Sequence, residues 1–418
     1  MHFPAAQFLV SIFVIAPLSC VAVLASQWHP RSYAAPRAVA PITIDGNIYK
    51  KAWEDVPWSR DFLEIRGDDS PVEDRPNAAT RTRMKMQWDD DFLYIAAEMS
   101  AHDWEIEAHF DQRNQPIFQK DSDIEVFLDT DESNHNYKEL EVNAKNTVWN
   151  LMLNKPYTSG GEEHSGREHK EGDAKYWDVQ GQATASKMYG SLGEKNPDGK
   201  WVSEIKLSHT DSLAQTSGSK PSKGKYWRIN FSRVEKQGKI NWVWSPQKLW
   251  KPTEGKYVGE VSMHAPDAWG YVVFEEAGGR AGPMEDWVAP NWQLKAAAHQ
   301  LFYAEKHASD HAGGGKLLSV DQLKQKQWVN ASLFQNLNAE VEQTSDSWTA
   351  RVKDASGCTA EIRADNLFSY RCGRLLLGMV ITPLRTTLFV LLSIGIAVSA
   401  VYIFRAKGVL LKPSGSDD

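Results

Sequence analysis

Acidic residues crowd positions 121 to 132, where Asp121, Asp123, Glu125, Asp129, Asp131 and Glu132 stand close together. Asp121, Asp123 and Glu125 alternate with Ser122 and Ile124, so in an extended strand their carboxylates leave one face together. Hard oxygen ligands at alternate positions beside a turn suit calcium, with Asp121, Asp123, Asp129 and Asp131 as the candidate ligands. The plain alternative is a solvated acidic edge. Indole rings are the second chemical resource: 17 Trp occur, densest between Trp53 and Trp269. Most are expected in a core, but flat rings also stack on flat ligands. The sequence contains no Gly-x-Ser-x-Gly, no His-Glu-x-x-His and no phosphate-cradling glycine loop, so a non-catalytic role is expected.

Strands must position these groups. Thr80, Thr82, Met84, Met86 and Trp88 alternate with Arg81, Arg83, Lys85 and Gln87, the period-two pattern of a half-buried strand. After the turn Asp89-Asp90-Asp91, the apolar run Phe92 to Met99 suits a central strand. Ile124 to Leu128, Leu140 to Val142, Val148 to Leu153, Trp201 to Leu207, Tyr226 to Val234 and Tyr271 to Phe274 are further strands. Many short strands between Gly, Asp, Asn and Pro turns predict a mainly β protein, an antiparallel β-sandwich. Beyond position 282 the pattern changes. Asn291 to Ala308 has a helical apolar stripe, and Ser319-Val320-Asp321-Gln322 fits a capping box. Trp348 to Val352, Cys358 to Ile362 and Leu367 to Tyr370 then form a small meander, so residues 282–373 read as a small α+β accessory subdomain.

The chain of 418 residues carries a net charge of −7, with no basic surplus to attract nucleic acid. An apolar stretch from Phe8 to Ala25 predicts a signal peptide or signal anchor over residues 1–25. A second, Thr387 to Phe404, is uncharged and followed by Arg405, Lys407 and Lys412. It predicts one transmembrane helix at 386–404 with a cytosolic tail at 405–418. The expected topology is single-pass type I, with the main body extracellular, luminal or periplasmic. Cys358 and Cys372 are then the mature pair and are expected to form a disulfide. Asn330 (Asn-Ala-Ser) is the expected glycosylation acceptor, and Asn230 (Asn-Phe-Ser) falls in a strand. Residues 26–37 read as a linker ahead of a sandwich over 38–276.

Several stretches, in one order, carry a family resemblance. They are Pro41 to Gly46 with Ala52-Trp53, Gln87 to Ala96, Asp121 to Asp129, Leu140 to Asn143, Trp201 to Ile205, Arg228 to Arg233 and Met263 to Gly270. Together they resemble the family 9 carbohydrate-binding modules, and are closest to the branch of family 9-like proteins found without an attached catalytic domain. The resemblance implies a β-sandwich that holds a terminal sugar between two aromatic rings, with polar side chains bonding its hydroxyls. It places the first ring at Phe118, the second at Met263 and the carboxylate at Glu125. Glu141 stands where an arginine is expected, a reversal of charge. Trp149, Trp244 and His264 are candidates to complete an altered site near the same face, against the alternative of core packing. Structural calcium is also implied by the resemblance.

The expected function is glycan or polysaccharide binding by a membrane-anchored module ancillary to glycan recognition or breakdown. Two alternatives stand beside it. One is a non-catalytic protein-interaction domain at the membrane surface. The other is a haem b electron-transfer domain, since related sandwiches bind haem through a Met paired with His or Lys. Met84, Met86, Met99, Met263, His102 and His264 supply its candidate ligands.

Overall fold

The computed structural model describes residues 28–311, 317–345 and 347–372. Sixteen strands carry the argument. They are β1 (Ser32–Pro36), β2 (Thr82–Trp88), β3 (Phe92–Ser100), β4 (Asp123–Asp129), β5 (Tyr137–Asn143), β6 (Val148–Leu153), β7 (Glu163–Ser165) and β8 (Gln182–Tyr189). There follow β9 (Lys200–Ser208), β10 (Tyr226–Glu235), β11 (Ile240–Val243), β12 (Gly270–Glu275), β13 (Asn338–Gln343), β14 (Trp348–Lys353), β15 (Cys358–Arg363) and β16 (Phe368–Cys372). A large sheet runs β1-β12-β10-β4-β5-β6-β7, extended by β11 on β10 and by the short pieces Leu63–Glu64 and Gly282–Pro283. A smaller sheet runs β8-β9-β3-β2.

The two sheets face each other because their inward positions are apolar at every second residue. Ile124, Val126 and Leu128 of β4, Leu140 and Val142 of β5, and Ile229 and Phe231 of β10 come from the large sheet. They meet Met84, Met86, Leu93, Ile95, Met99, Trp201 and Ile205 of the small one in a single cluster. That is the expected sandwich. Met84, Met86 and Met99 fill this core, whereas His102 is exposed, so these four do not assemble as haem ligands. The alternation in β2 has a second layer over it: Lys85 donates to the Trp53 carbonyl and Gln87 to that of Ala52. The polar face of β2 is therefore covered by the chain around Trp53 rather than solvated.

Part of the expected linker is structural. Ser32–Pro36 is strand β1, pairing in parallel with β12, and Tyr33, Ala34 and Ala35 are fully buried. Its small side chains gave no alternation to read, and Pro36 sits at its end.

The accessory part builds on two helices, α1 (Trp292–His311) and α2 (Val320–Gln325). Leu294, Ala297, Ala298, Leu301 and Phe302 of α1 pack with Ala350, Val352, Ala360 and Ile362 of a four-stranded antiparallel sheet, β13-β14-β15-β16. Ser319 and Gln322 form the expected capping box at the start of α2. This core is continuous with Tyr271 of the sandwich. Cys358 and Cys372 are disulfide-bonded. Among the described residues no helix is long and apolar enough to cross a membrane. The stretches expected to do so, at 1–25 and 386–404, and the tail at 405–418 lie outside the described residues.

Candidate functional site

The outward face of the large sheet carries the site. On β4 the outward residues are Asp123, Glu125 and Phe127; on β5, Glu139 and Glu141; on β6, Trp149 and Leu151. Register sets them in rows, with Glu125 opposite Glu141 and Glu141 opposite Trp149. On the other side of β4, Glu125 lies opposite Ser232 of β10. One rung along, Phe127 lies opposite Glu139 and Glu139 opposite Leu151.

These rows floor a cleft of about 320 Å³. Phe118, Met263 and His264 overhang it, with Tyr157 from the loop that follows β6, Glu163 from β7 and Arg167 from just beyond β7. The structure thus gathers Phe118, Glu125, Trp149, Met263 and His264 around one space. Trp244 is elsewhere: it is buried in the inter-sheet core against Phe231, and its ring lies so close to Gly270 that a Cβ there would sit 2.4 Å from it. An indole of that size beside a glycine is core packing, and it has no part in the cleft.

The aromatic arrangement differs from a two-ring sandwich. Phe118 and Trp149 stack on each other, with centroids 5.6 Å apart and planes 23° from parallel. Each stacking contact needs about 3.5–4 Å, so no sugar ring fits between them. Met263 is 7 % exposed, with its carbonyl taken by the Trp269 indole N–H. The available flat surface is instead Tyr157, which is 45 % exposed and meets the His264 ring edge-on at 4.6 Å. The Arg167 guanidinium lies 4.7 Å from the Trp149 ring centroid and pairs with Glu163 and Glu168. Tyr157 and Arg167 flank the three-residue strand β7 in a polar stretch without periodic pattern, where the Lys155-Pro156-Tyr157 step is the one cue in the sequence.

Electrostatically the floor is acidic and under-compensated. Burial raises Glu125 to about 8, while the Ser232 hydroxyl pulls the other way. Burial, reinforced by neighbouring carboxylates, pushes Asp123, Glu139 and Glu141 well above the ordinary range. Burial lowers His264 to about 4, so its ring is neutral at pH 7 and shares a 3.1 Å hydrogen bond with the Tyr137 hydroxyl. Glu139 Oε2, Glu141 Oε2 and the Trp149 indole N–H are buried without hydrogen-bond partners.

The expected calcium ligands separate. Asp121 is spent on the backbone amides of His109 and Phe110 and on the Asn143 side chain. Asp129 and Asp131 fasten the turn after β4 through the amides of Ser133, Asn134 and Ser217. Asp129 is also six residues from Asp123, roughly 20 Å along the strand. Only Asp123 of the four belongs to the cluster beneath the cleft. Asn230 is fully buried and donates to the Ser245 carbonyl. Asn330 is half-buried and caps a short turn by accepting from the Ser332 amide.

No protein-family model matches the chain, and no curated protein matches it. Solved structures do share part of its architecture. One is a candidate carbohydrate-binding protein from Bacteroides uniformis ATCC 8492, 14% identical, with 59% of this chain and 100% of that one aligned at a TM-score of 0.42. Another is a family 9 carbohydrate-binding module from Caldicellulosiruptor kristjanssonii, solved with cellotriose. It is 17% identical over 62% of this chain and 98% of that one, at a TM-score of 0.35. The glucose-bound form of a family 9 module from the same organism is 16% identical over 62% of this chain and 100% of that one, also at 0.35. The functional reading rests on the cleft.

Proposed function

We propose that this protein is a non-catalytic carbohydrate-binding protein that takes a sugar residue of a glycan into the cleft on the outer face of its large sheet. The observation that carries the reading is the pairing of ring surface with unused hydrogen-bonding groups. Tyr157 presents an exposed ring, while Glu139 Oε2 and the Trp149 N–H lie in the floor without partners. A pyranose has apolar C–H faces and a rim of hydroxyls, each both donor and acceptor, so it answers both features. An unpartnered buried polar atom costs about 1–3 kcal/mol, a cost that a hydroxyl would relieve. The volume lies at the small end of ligand sites, about 300–1,000 Å³. A glycan array probed with the intact protein tests the reading. Binding of at least one glycan class, lost in Glu139→Gln, is expected; no binding across the array would leave the protein-interaction reading in its place.

We further propose that this body is held on the non-cytosolic side of a membrane by the segment at 386–404. The disulfide at Cys358 and Cys372 supports an oxidising compartment. Protease added to the cytosolic side of sealed vesicles should shorten only the tail, and digestion of the sandwich would reject this placement.

A further inference from the structure

We propose that Asp123, Glu125 and Glu141 hold a divalent cation, calcium by its chemistry, in the floor of the cleft. One carboxylate oxygen from each of the three lies within 4.8 Å of the others. Calcium–oxygen bonds of about 2.3–2.6 Å span that spacing, whereas the shorter bonds of magnesium, about 2.0–2.1 Å, would need the oxygens drawn closer. Three carboxylates and no nitrogen or sulfur make a hard, all-oxygen donor set.

The second observation is Asp123 itself. It is 0 % exposed, and neither of its carboxylate oxygens has a hydrogen-bond partner. The charged groups that act most strongly on it, Glu125, Glu235, Asp121 and Glu139, are all acidic. The cross-strand geometry compounds the deficit: Glu125 and Glu141 stand directly opposite each other, so their ionised forms repel across the pair unless a cation lies between them. Arg167, the Lys or Arg side chain that lines the cleft, is already paired with Glu163 and Glu168. Without a cation such a buried cluster takes up protons, the direction in which burial drives these carboxyls; it stays ionised when an ion supplies the missing charge.

Glu125 and Glu141 also line the cleft, so the open side of the ion faces it. Calcium takes six to eight ligands, leaving positions for water there. That a sugar hydroxyl can fill one of these positions rests on the glycan reading; the ion site does not.

The test titrates calcium chloride into the chelator-treated full-length protein, with calorimetry and thermal unfolding as readouts and terbium luminescence excited through Trp149 as a third. Saturable binding and a rise in Tm of several degrees are expected. Glu141→Gln and Asp123→Asn should each weaken calcium at least tenfold. Without calcium, both variants should be at least as stable as the wild type, because each puts a neutral amide where burial and neighbouring carboxylates disfavour an ionised carboxyl. That outcome separates lost ligation from lost folding. Absence of any calcium or terbium signal in the wild type would overturn the proposal, as would unchanged affinity in both variants. The glycan array run with calcium and with chelator is read separately: calcium binding without glycan binding upholds the ion and rejects the glycan reading.

Discussion

Tyr157 and Trp244 mark the two ends of what an aromatic side chain does in this protein. Tyr157 packs lightly, so Tyr157→Ala should change stability by no more than about 0.5 kcal/mol, as exposed substitutions do. Trp244 is sealed between the sheets, and Trp244→Ala should cost about 3–5 kcal/mol by opening a cavity. Urea unfolding of the two variants checks both values, and glycan affinity of the folded Trp244→Ala protein should match the wild type. Residue type alone could not separate these rings. Trp149 faces outward because it alternates with the inward Val148 and Met152 on β6, a parity readable once the strand was recognised. Trp244 lies just past the end of β11, where no alternation applies. The resemblance placed Phe118, Glu125 and Met263 at one cleft, but it could not foresee that Phe118 would spend a face on Trp149. Tyr157 depends on the fold of its loop, which carries no periodic pattern.

Among the elements, α1 is joined to the sandwich by a buried charge cluster. Lys295 reaches Glu132 at 2.6 Å, and Glu132 also accepts from Tyr226, Tyr271 and Arg228. Burial opposes the Glu132 charge, but Lys295 and Arg228 outweigh it and hold the carboxyl at about 2. Burial also drags the Lys295 ammonium below its usual range, so the pair's net worth is smaller than its geometry suggests. A carboxyl depressed in the folded state contributes stability above its unfolded value, near 4.5, and loses it as pH falls toward 2. Stability should therefore fall through that window, and Glu132→Gln should flatten this part of the pH profile. Lys295→Met should cost about 3–5 kcal/mol at neutral pH, since it strips a buried carboxylate of its closest partner. Chemical unfolding at a series of pH values measures both. Elements with strong periodicity, β2, β3, α1 and the α2 capping box, were legible in the sequence. Strand β13 was not, because its outward Glu340 and Glu342 pair with Arg351 on β14 and its inward Ala339 and Val341 are only partly covered. Strand β1 is illegible in the sequence because Ala-Ala in a parallel pairing looks like linker.

For the molecule as a whole, the order of the pieces was readable while the identity of the ligand was not, since ligand choice depends on rows of side chains brought together by register. The disulfide at Cys358 and Cys372 closes a loop of about 15 residues, and its reduction should remove roughly 3 kcal/mol. Loss of Tm on reduction, confined to the cooperative unit that includes β15, would show this. The claim on which the account turns is that the cleft takes a sugar. The most direct measurement is a calorimetric titration of detergent-solubilised full-length protein with the best glycan from the array, repeated on Tyr157→Ala. The account predicts weak binding toward the millimolar range, about −4 kcal/mol, reduced at least tenfold in Tyr157→Ala with unfolding unchanged. Equal affinity in the two proteins would contradict it.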